Sequence, residues 1–298
     1  MNKVVVVGAG NVGVKYAAAL ISTNSNIDEL ILVDINKEKA MGEAMDLSIY
    51  ALGSKTKIKA GTYLDAKDAK IVVITAGANQ NKNETRLDLV KRNSKIIKDI
   101  TLNIVKSGFN GIFLVASNPV DIITYLVKKY SKFPAGKVIG SGTMLDTSRL
   151  AYLISNKLEV NIKDVSAYIL GEHGDSSFAV WSSAKVGSVL IKEILPQEEL
   201  DKLLDKAKYM AYKIIELKNE TSYGIGMCLV NITNAILNNE NKVLVVSSPY
   251  DDIYLGMPSV INESGIKGVM KVELTKDEAK KLENSANIIR QTIKSLEE

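Results

Sequence analysis

The chain opens with a β-branched run, Lys3 to Val7, that passes directly into Gly8-Ala9-Gly10-Asn11-Val12-Gly13 and then into a stretch of helical character from Val12 to Ile21. Valines in series favour a buried strand, and a glycine turn leading at once into a helix leaves few possible folds. The glycines permit the tight turn, the close approach of a pyrophosphate to the backbone and the close packing of helix on strand, while the helix N-terminus attracts phosphate charge. Leu30 to Val33 is apolar again and ends at Asp34. A carboxylate there can hold both hydroxyls of an adenosine ribose and would repel a 2′-phosphate. The segment therefore reads as a βαβ unit built for NAD rather than NADP, with Gly8, Gly10, Asn11, Val12, Gly13 and Asp34 as its contacts.

The alternation continues. Asn36 to Tyr50 has helical composition, Lys57 to Ala60 suits an edge strand, and Ile71 to Ile74 reads as a buried strand entering Thr75-Ala76-Gly77. A polar loop from Asn79 to Glu84 leads into an amphipathic helix through about Lys106, and Gly111 to Val115 forms another buried strand ending at Ser117-Asn118-Pro119. Strands and helices in turn imply a parallel, doubly wound sheet. Past Gly140 the texture changes: helices are expected over Leu145 to Lys157, Gln197 to Lys218, Gly226 to Leu237 and from Lys276 onward, and a strand over Val165 to Leu170. Val243 to Ser247 and Gly268 to Leu274 are expected as strands of a second sheet. The fold expected is α/β, an N-terminal Rossmann domain over residues 1–140 followed by an α+β substrate domain over 141–298. Without a linker between them, the two should pack closely.

Composition excludes several classes. The 38 basic and 34 acidic residues are scattered, so the net charge of +4 gives no concentrated basic arm for nucleic acid. A single cysteine, Cys228, excludes an intramolecular disulfide and a thiolate cluster for structural zinc, and fits a reducing cytoplasm. Four N-terminal valines are too short for a signal-peptide core, and no apolar run is long enough to span a bilayer. A cytoplasmic protein that is neither exported nor embedded in a membrane, and that needs no metal, is the expectation.

His173 is the only histidine, flanked by Gly171 and Gly174 at the end of an apolar stretch. If the chemistry needs a group that exchanges protons near neutral pH, the choice is almost closed, and an irregular turn is where such a group is presented.

The blocks around these residues resemble the L-lactate and malate dehydrogenase family over nearly the whole chain, most of all its bacterial L-lactate dehydrogenases. They are Val7 to Gly13, Thr75-Ala76-Gly77-Ala78-Asn79-Gln80, Glu84-Thr85-Arg86-Leu87, Ser117-Asn118-Pro119-Val120-Asp121, Gly140-Ser141-Gly142-Thr143, Leu145-Asp146-Thr147-Ser148-Arg149 and Gly171-Glu172-His173-Gly174-Asp175-Ser176. The resemblance implies that Asp146 orients His173 and stabilises its imidazolium. It implies that Arg149 forks onto a substrate carboxylate and that Arg86, on a closing loop, polarises the carbonyl. Asn118 would hydrogen-bond near that carbonyl, Thr221 would line the pocket, and Ile225 would pack on a nicotinamide ring. Ala76, Gly77, Ala78, Ala116 and Ser117 would border the cofactor, and Lys39 and Tyr63 match positions near the adenosine.

Gln80 bears on the substrate. Oxaloacetate carries a second carboxylate that needs a cation in a closed site; malate dehydrogenases of the family generally place arginine there, whereas glutamine accompanies pyruvate. Two departures from the family are visible. Enzymes activated by fructose 1,6-bisphosphate usually carry an arginine and a histidine where this chain has Ala151 and Ser166, so no such activation is expected, and the chain is shorter than its relatives after Val186. The family implies a homotetramer or a dimer. Malate dehydrogenase is the nearest rival reading, with a broader L-2-hydroxy acid dehydrogenase as a further alternative. A metal-dependent NAD glycosidase would need a cysteine and histidine metal site, and a non-catalytic NAD-binding protein would not need His173.

Overall fold

The computed structural model describes residues 1–23, 25–78 and 86–297, with Arg86, Leu87 and Glu297 described by their backbone alone. The first strand, β1 (Lys3–Val7), explains its run of valines: Val4 and Val6 enter one core, Val5 and Val7 the other, and all four are at most 2% exposed. A strand buried on both faces cannot alternate with polar residues. After α1 (Asn11–Ser22) come β2 (Glu29–Val33), α2 (Lys37–Tyr50), β3 (Lys57–Ala60), β4 (Ile71–Ile74), α3 (Arg86–Lys106), β5 (Ile112–Val115), α4 (Val120–Ser131) and β6 (Val138–Gly140). The six strands lie parallel in the order β3, β2, β1, β4, β5, β6, the doubly wound arrangement. Helices α1 and α2 cover one face with a later helix, Tyr223–Leu237 (α8), while α3 and α4 cover the other with the last helix, Lys276–Glu297 (α9).

Beyond β6 the chain runs through α5 (Met144–Leu158), the short strands β7 (Val165–Ser166), β8 (Ile169–Leu170), β9 (Phe178–Ala179), β10 (Lys185–Val186) and β11 (Val189–Leu190), and one helical turn, α6 (Ile191–Ile194). Then follow α7 (Gln197–Lys218), α8 (Tyr223–Leu237), β12 (Lys242–Tyr250), β13 (Ile253–Asn262), β14 (Gly265–Val269) and α9 (Lys276–Glu297). A third core, including Leu150, Ile154, Trp181 and Leu200, lies under α5 and α7.

Three expectations need correction. The strand expected over Val165 to Leu170 is broken in two, β7 joining β10 and β8 joining β9, in different small sheets. The late strands do not build a separate sheet either: β12, β13 and β14 extend the first one to nine strands. The junction is a single antiparallel pairing of Ser247 with Gly140. Glycine is required there, because a Cβ on Gly140 would lie 2.7 Å from that of Ser247 and 2.3 Å from Thr124 Oγ1. Gly142, at φ +52°, is pressed as closely onto the backbone nitrogen of Ser247. The expected strand at Gly268 to Leu274 begins and ends earlier, as β14.

Candidate active site

The cofactor end is built locally. Gly8 takes φ +110°, and a Cβ there would meet the Ala76 backbone at 2.6 Å; a Cβ on Gly13 would lie 2.0 Å from the Gly8 carbonyl. Gly10 differs. It is the N-cap of α1, no side chain caps that end, and a Cβ on it would meet nothing within 4 Å. The turn therefore leaves open space before uncapped helix N–H groups, which is what a pyrophosphate needs. Asp34, at the end of β2, is held facing this turn: Oδ2 accepts the Ala9 N–H at 2.7 Å and Oδ1 accepts that of Asn36 at 2.9 Å. Each oxygen keeps a lone pair for a ribose hydroxyl. These residues fit a dinucleotide.

Around the rim the expected contacts fall unevenly. Tyr63 is half-buried, and burial first, then the charges of Asp99 and Asp34, push its hydroxyl pKa upward, so its ring belongs to the Asp34 neighbourhood. Lys39 is exposed on the first turn of α2. Ala76, Gly77 and Ala78 follow β4, and Ala116 and Ser117 follow β5. The Ser117 hydroxyl is already donated to the Ala76 carbonyl at 2.6 Å. Val12 and Ile225 pack into the core shared by α1 and α8, and Thr221 precedes α8, outside the lining of the cavity that holds His173. Gln80 lies outside the described residues, and Arg86 begins α3 with its side chain outside them.

A cavity of about 440 Å³ is lined by Asn118, Asp146, Arg149 and His173, together with Leu89, Lys208 and Ala211. Five separate segments meet in it. Asp146 and Arg149 sit three residues apart on α5 and so share a face. Asp146 Oδ2 lies 2.6 Å from His173 Nδ1, and its Oδ1 accepts from Arg149 Nη1 at 3.2 Å. Both Asp146 and Arg149 are 8% exposed. The turn bearing His173 is pinned to the sheet by reciprocal hydrogen bonds between Gly171 and Gly256 of β13, at 3.1 and 2.9 Å. Helix α5 is fastened to β8, which leads into that turn, by Thr143 Oγ1 donating to the Ile169 carbonyl at 2.6 Å and Thr147 Oγ1 accepting from the Ile169 N–H at 3.0 Å.

Electrostatics follow from this geometry. Burial works against a charged imidazole, but the Asp146 carboxylate on Nδ1 outweighs it and raises the His173 pKa. Burial likewise works against the Asp146 charge, and His173 and Arg149 together hold its pKa below the usual carboxylate value. With Nδ1 held by Asp146, Nε2 is the ring nitrogen available for proton exchange.

Two contributors were not singled out in the sequence. Asn93 of α3, 2% exposed, accepts from the Ala78 N–H at 2.8 Å and donates to the Asn118 carbonyl at 3.0 Å, locking the ends of β4 and β5 together. A polar residue on the buried stripe of an amphipathic helix was the available signal. Lys208 of α7 lines the cavity and donates to the Asp175 carbonyl at 2.8 Å; burial lowers its pKa, with nearby acids opposing. Its exposed, lysine-rich helix offered no signal. Among the described residues no cluster of histidine, cysteine or acidic side chains could hold a metal ion, and no described helix is long and apolar enough to cross a membrane.

Fold and site together are those of a two-domain, dinucleotide-dependent oxidoreductase. Residues 2–140 match the NAD binding domain of lactate/malate dehydrogenase, and residues 143–298 match its alpha/beta C-terminal domain. The chain belongs to the lactate/malate dehydrogenase family. It is 47% identical to L-lactate dehydrogenase 2 of Bacillus cereus, over 98% of either chain, and 46% identical to the L-lactate dehydrogenase of Borrelia hermsii, over 99% of this chain and 98% of that one. A lactate dehydrogenase from a Medee basin deep-sea metagenome library matches with a TM-score of 0.96 and 47% identity, covering 100% of this chain and 99% of the other. The ligands-bound form of the minor L-lactate dehydrogenase from Enterococcus mundtii gives 0.96 at 43% identity, covering 99% and 98%.

Proposed function

We propose that this chain is an NAD-dependent L-lactate dehydrogenase that reduces pyruvate reversibly to (S)-lactate. The observation that carries this reading is the His173 Nδ1 to Asp146 Oδ2 contact of 2.6 Å beside buried Arg149, in a cavity that Asn118 also lines. The relatives named L-lactate dehydrogenase, alike over the whole chain, support it.

The Gly8 to Gly13 turn, with Asp34 on the ribose, would hold NADH, which when bound would supply the hydride for C2 of pyruvate. Protonated His173 gives its Nε2 proton to the carbonyl oxygen, and Asp146 keeps the ring oriented and favours its charged form beforehand. Arg149 binds the substrate carboxylate through its planar fork. Asn118 donates toward the carbonyl, Arg86 adds positive charge where the alkoxide forms, Thr221 completes the pocket wall and Ile225 backs the nicotinamide. Residues 1–140 form the NAD-binding domain and residues 141–298 the catalytic domain, with Arg86 and Asn118 reaching the substrate from the first and Ile225 meeting the nicotinamide from the second.

Selection of pyruvate rests on Gln80, since a second carboxylate left unpaired in a closed site would cost several kcal/mol, roughly a thousandfold in rate. Ala151 and Ser166 support an enzyme without fructose 1,6-bisphosphate activation. A homotetramer is supported by the exposed apolar stripe Met41, Met45 and Ile49 on α2, at helical spacing, with Leu52 in the turn just beyond it, and by exposed Tyr212, Leu217 and Tyr223. The single buried thiol suits a reducing cytoplasm, burial pushing the Cys228 pKa up to about 12.

Catalytic efficiency measured on pyruvate and on oxaloacetate with NADH tests the assignment: pyruvate should be preferred by about a thousandfold. A preference for oxaloacetate would make the chain a malate dehydrogenase.

A further inference from the structure

Beside the turn that carries His173 lies a second cavity, of about 380 Å³, nearly as large as the first. That turn is gripped from two sides. Toward the sheet, Asp121 of α4 accepts the His173 backbone N–H at 2.8 Å; toward the last helix, Ser285 of α9 accepts the Glu172 N–H at 2.6 Å. The second cavity lies on the α9 side, where Ser176 and Ser177 meet Lys208 of α7 and Lys280, Lys281 and Asn284 of α9. Among the described residues three lysines line it and no carboxylate does. In a chain whose 38 basic and 34 acidic residues are otherwise scattered, this is a local concentration of positive charge.

The lysines are poorly compensated. Among the described residues Lys281 has no ion-pair or hydrogen-bond partner, and Lys280 meets only Asp277, at 4.0 Å on an exposed turn where an ion pair is worth little. Lys208 gives its ammonium to a neutral group, the Asp175 carbonyl, at 2.8 Å. Burial lowers the Lys208 pKa, Asp175, Asp205 and Asp146 oppose that, and the Lys281 ammonium adds to it, so two like charges repel across one cavity. The hydroxyls of Ser176 and Ser177 are already donated, to Glu172 Oε2 at 2.6 Å and to the Gly174 carbonyl at 2.9 Å. The donors left in the lining are the ammonium groups and the Asn284 amide.

We infer that this cavity is a binding site for a phosphate dianion, free or carried by a small phosphomonoester. Ammonium groups are compact point charges, which suit a phosphate better than a carboxylate; a carboxylate is matched by the planar fork of arginine, and no arginine lines the cavity. At the positions that the family resemblance ties to fructose 1,6-bisphosphate this chain has Ala151 on α5 and Ser166 in β7, and neither lines the cavity. Lys208 and Ser177 line both cavities, so charge bound in the second is felt in the first. The consequence for catalysis rests on the pyruvate reading above: Lys208 adds to the positive potential that draws the substrate anion in, and a phosphate beside it cancels part of that attraction without touching the reacting groups.

Lys280→Ala/Lys281→Ala, a double substitution of exposed side chains, tests the site. Titration calorimetry of the full chain with inorganic phosphate, at an ionic strength held constant with chloride, should show binding that the double variant weakens about tenfold. Equal binding by both proteins, or none by the wild type, would overturn the inference, because phosphate held at the glycine turn or by Arg149 does not depend on these lysines. Glycerol 3-phosphate separates the two sources of the anion: if it binds more tightly than inorganic phosphate and the variant loses it, the site belongs to phosphomonoesters, and if more weakly, to the free ion. In steady-state pyruvate reduction, saturating phosphate should raise the wild-type KM about threefold with kcat unchanged, and should leave the double variant unaffected. Without phosphate the variant should stay within about twofold of wild type. An equal rise in KM for both proteins would place the phosphate in the substrate site and overturn the coupling. A chain unable to reduce pyruvate at all would overturn the functional reading, while the calorimetry still decides the phosphate site.

Discussion

The cofactor end and the proton-donor end of the site are assembled by opposite strategies. Between Gly8 and Asp34 the dinucleotide cradle is shaped mainly within one βαβ unit, by the turn, the helix start and the carboxylate that bonds the Ala9 N–H, with Thr75 and Ala76 after β4 pressing on the turn from outside it. His173 depends instead on Asp146 and Arg149 from α5, Asp121 from α4 and Gly256 from β13. A short-range cradle can be damaged piecemeal, whereas a long-range one fails or holds as a unit.

The largest effect expected from breaking this contrast is at the histidine. His173→Asn should lower kcat for pyruvate reduction by about a thousandfold while NADH binding, followed by fluorescence, stays near wild type. Undiminished turnover would show that the proton comes from elsewhere. Asp146→Asn should cost about a hundredfold and also displace the pH profile. The His173 pKa is raised by Asp146, so activity in the reducing direction persists below that value and is lost as pH rises through it; without the carboxylate the loss should come at lower pH. A stopped-flow pH series measures this, and an unmoved midpoint would contradict the pairing.

Glycines sharpen the contrast inside the cofactor end. Gly13→Ala forces a Cβ to within 2.0 Å of the Gly8 carbonyl, so thermal unfolding should show a loss of about 3 kcal/mol. Gly10→Ala meets no protein atom and should leave the melting temperature alone while weakening NADH binding about tenfold, because its methyl enters the phosphate space. If both variants lost stability alike, the open space beside Gly10 would not be a ligand site. The smallest effect is expected at Tyr16→Phe, which removes the buried hydroxyl bonded to Thr233 at 2.8 Å where α1 packs on α8. It should cost about 1 kcal/mol of stability without altering kinetics.

How much could be read from the sequence follows the same division. Strands β1, β2, β4 and β5 were legible because burial on both faces leaves an unbroken apolar run, and α7 because its amphipathic stripe is long. Strand β13 escaped notice because Gly256 and Pro258 interrupt it, as residues that usually end strands. In the structure Gly256 is the point at which the His173 turn approaches the sheet, so the feature that hid the strand serves the site. Helix α8 begins a turn before its expected start at Gly226 because Tyr223-Gly224 looks like loop. At the site, Asp34 could be assigned by distance along the chain. Asp146 and Arg149 became pointed only through family resemblance, since spacing alone cannot say that residue 146 will lie beside residue 173. Asp121 carried no local signal at all.

The pairing of Ser247 with Gly140 has a further consequence. If the chain were cut after residue 140, strand β6 would lose its neighbour and present unpaired backbone groups along an apolar edge, a template for another copy to add on. The cofactor half is thus a recognisable module in sequence whose last strand is covered by β12, so chain from beyond residue 140 serves as its edge protector.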